Sequence, residues 1–113
     1  MKDIEHQIQC GIVKYLRTNG ITVFAVPNGG QRNLITAVRL KNEGALSGVA
    51  DLIILEKGTC LFVEVKTLKG RQQESQKVFE EEVKKHGMKY VIWRDIEDAV
   101  DYVKNLKEEG VIL

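Results

Sequence analysis

Asp51, Glu64 and Lys66 are the residues whose types and spacing point to chemistry. Asp51 precedes the apolar run Leu52-Ile53-Ile54-Leu55, and Glu64 and Lys66 close a second run that contains Leu61-Phe62-Val63. The runs read as two strands joined by Glu56-Lys57-Gly58-Thr59. A two-residue turn at Lys57-Gly58 makes Glu56 face Thr59, Ile53 face Phe62 and Asp51 face Glu64. Directly opposed residues point to the same side of an antiparallel pair, and Lys66, two residues beyond Glu64, shares that side. Two opposed carboxylates repel unless something compensates. A hard divalent cation such as Mg²⁺ or Mn²⁺ prefers such oxygen ligands, and the Val65 carbonyl lies between the acid and the lysine as a possible third. That arrangement suits phosphodiester hydrolysis: the cation makes a bound water more acidic and neutralises charge developing on the phosphate. Lys66 fits two roles, orienting the attacking water or stabilising the transition state as a cation. The plainer alternative is a surface salt-bridge cluster. Against it, both runs are apolar on both faces, the mark of central, covered strands.

Two further residues extend the cluster. Gln76 shares a helix face with Phe79 and Val83, so its polar side chain points inward and needs a partner. A helix-end glutamine bonded to backbone is the simpler account. Glu5 lies on the stripe of Ile8 and Ile12; it either reaches the site from the first helix or complements that helix's dipole. The loop Asn28-Gly29-Gly30-Gln31-Arg32 allows close approach to a phosphate, yet no Gly-Lys-Ser/Thr follows, so it is not a Walker-type loop. His6 and His86 fall in no zinc or nuclease motif, and Ser47-Gly48 shapes the loop that delivers Asp51.

These residues need a scaffold. Asp3 caps a helix to about Thr18, stopped by Asn19-Gly20. Ile21 to Val26 reads as a strand, Leu34 to Glu43 as a helix ended by Gly44, and Ala50 to Leu55 and Cys60 to Lys66 as the hairpin. A long helix from Gln72 to His86, a strand from Lys89 to Trp93 and a helix capped by Asp95 follow. The tail Val111-Ile112-Leu113 is apolar and reads as a short strand or a dimer contact. This order predicts one α/β domain over 1–113, with a central sheet flanked by helices.

Composition agrees with that reading. The 113 residues are 43% hydrophobic and 29% charged, with a single proline and no repeat or low-complexity segment. No apolar run is long enough to cross a bilayer, and the polar start lacks a signal core, so a cytoplasmic location is expected and no membrane partner. Cys10 and Cys60 have no metal-ligand spacing and are expected as buried free thiols. Net charge is +1, so any basic surface for nucleic acid must be local. Arg32, Arg39 and Lys41 form one cluster, and Lys66, Lys69 and Arg71 another.

Asp51 followed by Glu64-Val65-Lys66 on the next strand resembles the PD-(D/E)XK nuclease pattern. The wider string is more specific. Pro27-Asn28-Gly29-Gly30, Gly48-Val49-Ala50-Asp51-Leu52, Phe62-Val63-Glu64-Val65-Lys66, Gly70-Arg71 and Gln76 together resemble the VRR-NUC family, virus-type replication-repair nuclease domains. The resemblance runs from Glu5 to about Trp93. It implies a restriction-endonuclease-like fold, a central mixed β-sheet flanked by helices, and Mg²⁺- or Mn²⁺-dependent cleavage of DNA. By position it makes Asp51 and Glu64 metal ligands assisted by the Val65 carbonyl, and Lys66 the catalytic lysine. Gln76 matches the family's helix glutamine, and Glu5 the acidic residue of the first helix. Asn28, Arg32, Lys69 and Arg71 are the expected DNA contacts. The proline that the pattern places before the aspartate is absent; Ala50 stands there, a change expected to affect loop shape more than chemistry. Stand-alone members resemble small phage enzymes that resolve Holliday junctions as homodimers, so a homodimer acting on junction DNA is expected by analogy. The alternatives are a non-catalytic DNA-binding or recombination-accessory module and a restriction-type nuclease with sequence preference. Retention of both carboxylates and the lysine argues against the first, and the lack of an obvious target-recognition segment against the second.

Overall fold

The computed structural model describes residues 3–27 and 33–112. Helix α1 (Ile4–Thr18) starts at Asp3, whose side chain accepts from the His6 N–H at 3.0 Å. Strand β1 (Val23–Ala25) and helix α2 (Leu34–Asn42) follow, then the hairpin of β2 (Leu52–Glu56) and β3 (Thr59–Val65). Helix α3 (Glu74–Lys85), strand β4 (Lys89–Trp93) and helix α4 (Ile96–Glu108) complete the order.

The four strands lie in the order β1-β2-β3-β4. The first three are antiparallel, and β4 runs parallel to β3 because α3 carries the chain back across the sheet. The hairpin register is the one that turn chemistry requires: Glu56 pairs with Thr59, Ile53 with Phe62 and Leu52 with Val63. Gly58, the second central residue of the turn, supplies its positive φ of 77°, while Lys57 keeps a negative φ. Tyr102 of α4 donates to Glu56 Oε2 at 2.5 Å, which ties the turn end of the hairpin to the last helix.

Each face of the sheet has its own helical cover. Ile12 and Leu16 of α1 and Ala99 and Val103 of α4 pack on Leu52, Ile54, Leu61, Val63 and Val65. On the other face, Val83 of α3 meets Ala50 and Tyr90, and Phe79 meets Phe62 edge-on at 5.4 Å between ring centres. The expected α/β architecture, a mixed sheet between helices, is therefore the observed one.

Several local expectations change. β1 is shorter than Ile21 to Val26, yet its pairing runs on through single bonds, Leu55 N–H to Thr22 O at 3.0 Å and Val26 N–H to Asp51 O at 2.9 Å. Helix α3 begins at Glu74 rather than Gln72 because Gln73 is its cap. Cys10 is exposed, against expectation: it sits two residues from both Ile8 and Ile12, which places it on the opposite side of α1 from their stripe. Cys60 is half-buried, and both thiols are free. Ile112 packs on the core without forming a strand, and Leu113 lies outside the described residues. Among the described residues, no helix is long and apolar enough to cross a membrane.

Candidate active site

The hairpin register sets Asp51 opposite Glu64 at the end of the two central strands. The Asp51 backbone is fixed by its carbonyl bond from Val26, and its Oδ2 accepts the Val65 N–H at 2.8 Å. An extended residue points its N–H and C=O to the same edge, so the Val65 carbonyl faces the Asp51 side as well. Glu64 is only 1% exposed and Lys66 7%. The Lys66 ammonium stands 3.9 Å from Glu64 Oε2. Together with Glu5, Gln76 and the loop Ser47-Gly48-Val49, these side chains line a cleft of about 390 Å³.

Gln76 holds the carboxylate in place. Its Nε2 donates to Glu64 Oε2 at 3.1 Å, while its Oε1 accepts the Gln73 N–H at 2.8 Å. The two readings of this residue thus hold together: it caps its own helix and reaches the site. Both amide ends are engaged, which fixes the amide's orientation. Gln76→Ala is expected to lower stability by about 1–2 kcal/mol, through loss of the cap and of a bond to a buried carboxylate. A shift in urea midpoint with unchanged slope would register it; no shift would mean that the bridge carries no load.

The electrostatics of the cluster are adverse without a cation. Burial, then the interaction with Asp51, pushes the Glu64 carboxyl up to about 8, and Lys66 offsets only part of this. Burial also raises the Glu5 carboxyl, helped by the charge of Asp51 and opposed by that of Lys66. Glu64 Oε1 is buried and meets no donor; a proton shared with Asp51 or a bound cation would satisfy it. A buried acceptor left unpaired is costly, and a hard cation is one partner that would satisfy it. Among the described residues no three His, Cys, Asp or Glu side chains converge as a ready cage. Glu5 lines the cleft without joining Asp51 and Glu64 as a third close ligand. Two carboxylates and a backbone oxygen, with water and substrate for the rest, is a donor set that Mg²⁺ and Mn²⁺ accept.

The model of the VRR-NUC domain family matches residues 6–94. The chain belongs to the VRR-NUC family. Its function is therefore of nuclease type, with DNA as the implied substrate class. A solved VRR-NUC domain protein superposes with a TM-score of 0.73 at 18% identity, covering 93% of this chain and 88% of its own. A second VRR-NUC domain gives 0.62 at 23% identity, covering 92% of this chain and 94% of its own. Such identities speak for the fold alone. Among curated proteins, none matches.

The structure of this VRR-NUC domain brings Glu5, Asp51, Glu64, Lys66 and Gln76 to one cleft. Lys69 and Arg71 lie just beyond Lys66, exposed and without an ion pair among the described residues. Asn28 and Arg32 lie outside the described residues. Sequence reasoning missed Arg94. Its Nη1 donates to the carbonyls of Thr67, Leu68 and Gly70 at 2.8, 3.3 and 2.6 Å, clamping the loop that follows Lys66. The signal was present in the strand–helix–strand order. A helical crossover makes β4 parallel to β3, and pairing of Val65 with Trp93 then sets Arg94 beside Lys66.

Proposed function

We propose that this VRR-NUC domain is an Mg²⁺- or Mn²⁺-dependent DNA endonuclease that hydrolyses phosphodiester bonds and selects branched structures, Holliday junctions among them. The observation that carries the reading is the buried Glu64 Oε1, which meets no donor and faces a second carboxylate, Asp51, with Lys66 close by. Asp51, Glu64 and the Val65 carbonyl would hold the cation. When bound, it would supply a more acidic water and charge neutralisation at the phosphate.

The chain's own residues supply the rest. Val65 N–H and Gln76 Nε2 hold the two carboxylates in fixed orientations, so little reorganisation accompanies reaction. Lys66 keeps its ammonium within reach of the same oxygens, where it orients the attacking water or stabilises negative charge on the phosphate. Glu5 shapes the mouth of the cleft from α1. Lys69 and Arg71 contact the phosphate backbone beyond it, with Asn28 and Arg32 as further contacts.

A homodimer fits this reading, since a four-way junction needs two symmetric cuts. Helix α2 buries none of its residues and leaves Leu34 78%, Ile35 74% and Val38 49% exposed along one stripe. An apolar patch of that kind marks a contact surface, and a second copy of this chain is the proposed occupant.

The test is a panel of linear, single-stranded, flapped and four-way DNA, incubated with Mg²⁺, Mn²⁺ or EDTA. Metal-dependent cleavage that favours the branched forms is the expected result. Binding without any metal-dependent cleavage would replace the nuclease with an accessory module. Equal cleavage of linear and branched DNA by a purely monomeric protein in sedimentation would remove junction selectivity and the dimer.

A further inference from the structure

We infer that Leu68 is an apolar wedge that inserts against an unstacked base and thereby selects DNA whose stacking is already interrupted. The inference rests on the nuclease reading above and adds the residue that recognises the branch. Leu68 is 79% exposed, one residue after Thr67 and two after Lys66. A single exposed leucine is ordinary on a protein surface, so exposure alone carries nothing. What sets this one apart is the loop that holds it. The carbonyls of Thr67, Leu68 and Gly70 all turn onto the Arg94 guanidinium, and the Gly70 N–H closes a turn on the Thr67 carbonyl at 3.0 Å. Arg94 is itself anchored: its N–H donates to Asp98 Oδ2 at 2.8 Å, and it follows the buried Trp93.

A loop with its carbonyls bound inward displays its side chains outward. Here they are Leu68, Lys69 and Arg71, an apolar tip followed by two exposed cations. The pattern matches what broken DNA offers, an apolar base face flanked by phosphates. Apolar wedges stabilise unstacked base steps, and the unstacking cost is smallest where pairing is already lost. A rigid wedge spends no loop entropy at the moment of contact. Two residues of chain span at most about 7 Å. Bases along one strand rise by about 3.4 Å, so once the reach of the two side chains is added the cut falls within a few nucleotides of the branch point.

The test uses flapped DNA with 2-aminopurine at the branch, bound in the Lys66→Ala background so that the strand stays intact, and metal-dependent cleavage of flapped and linear DNA by the otherwise native chain. Binding is followed in parallel by anisotropy. The fluorescence is expected to rise on binding. Leu68→Ser removes the rise and lowers the cleavage ratio of flapped to linear DNA about tenfold, equivalent to about 1.4 kcal/mol. Leu68→Met keeps both readouts, and Arg94→Ala, which keeps the leucine but frees the loop, loses part of each. If Leu68→Ser leaves fluorescence and ratio unchanged while the native chain cleaves DNA, the wedge is wrong and the nuclease stands. If the native chain cuts no DNA with either metal, the nuclease reading itself has failed.

Discussion

Glu64→Gln is expected to yield a protein more stable than the native chain at pH 8 without metal, yet at least about a hundredfold slower in cleavage. The stability half follows from linkage. In the unfolded chain the carboxyl titrates near 4.5, whereas burial and Asp51 raise it to about 8 in the fold. Between those values the unfolded chain ionises while the fold retains the proton. Stability present at low pH is thus lost as pH rises through this window, on the order of 1 kcal/mol per pH unit. Glutamine never ionises, so its profile stays flat across the same window. It also keeps the shape of the site: one amide oxygen still accepts from Gln76, and its NH₂ suits a neighbouring carboxylate. The activity half follows because an amide is a far weaker partner for a hard cation. Mn²⁺ should therefore raise the melting temperature of the native protein and leave that of the variant nearly unchanged. Urea midpoints from pH 5 to 8, with and without Mn²⁺, check both halves; parallel profiles for the two proteins would show that Glu64 does not carry the buried charge.

What could be read from the sequence was governed by short-range geometry. The Asp51–Glu64 opposition needs only a two-residue turn and the period of a strand, both of which are local, and the observed register agrees. Gln76 was legible as inward-facing because helical period is also local. Its partner was not, because the reach to Glu64 depends on where α3 begins. That start moved from Gln72 to Glu74 once Gln73 became the cap, with Gln76 supplying the bond to its N–H. Cys10 misled because residue type suggested burial while its position on α1 did not. Arg94 lay beyond local reasoning for a different reason. Its role depends on which strand neighbours β3, and only the parallel crossover puts residues 66 and 94 side by side. Gly48 shows the same limit: its sequence context marks a loop, while the constraint on it comes from a helix some thirty residues later.

Gly48→Ala is the substitution expected to damage the fold most for the fewest atoms added. Gly48 has φ +85°, a conformation strained for any residue with a side chain. A Cβ there would fall onto the Ser75 carbonyl group and 2.9 Å from the Gln76 nitrogen. These are backbone atoms of the first turn of α3, so no rotamer change relieves the overlap. Either the loop leading to Asp51 lifts away or the start of α3 shifts, and both carry site residues. Strain and overpacking together should cost about 2–4 kcal/mol. The measurement is a urea midpoint compared with that of Gly87→Ala, a control at the similar φ of +77° with nothing within 4 Å of its new Cβ. The control pays for backbone strain alone, so the difference between the two variants isolates the contact with α3. Cleavage at a temperature where both variants are fully folded should fall further for Gly48→Ala, because Gln76 is displaced from Glu64. Equal midpoints and equal rates would mean that the loop and helix do not meet as closely as 2.9 Å implies, and that Asp51 and Gln76 are positioned independently.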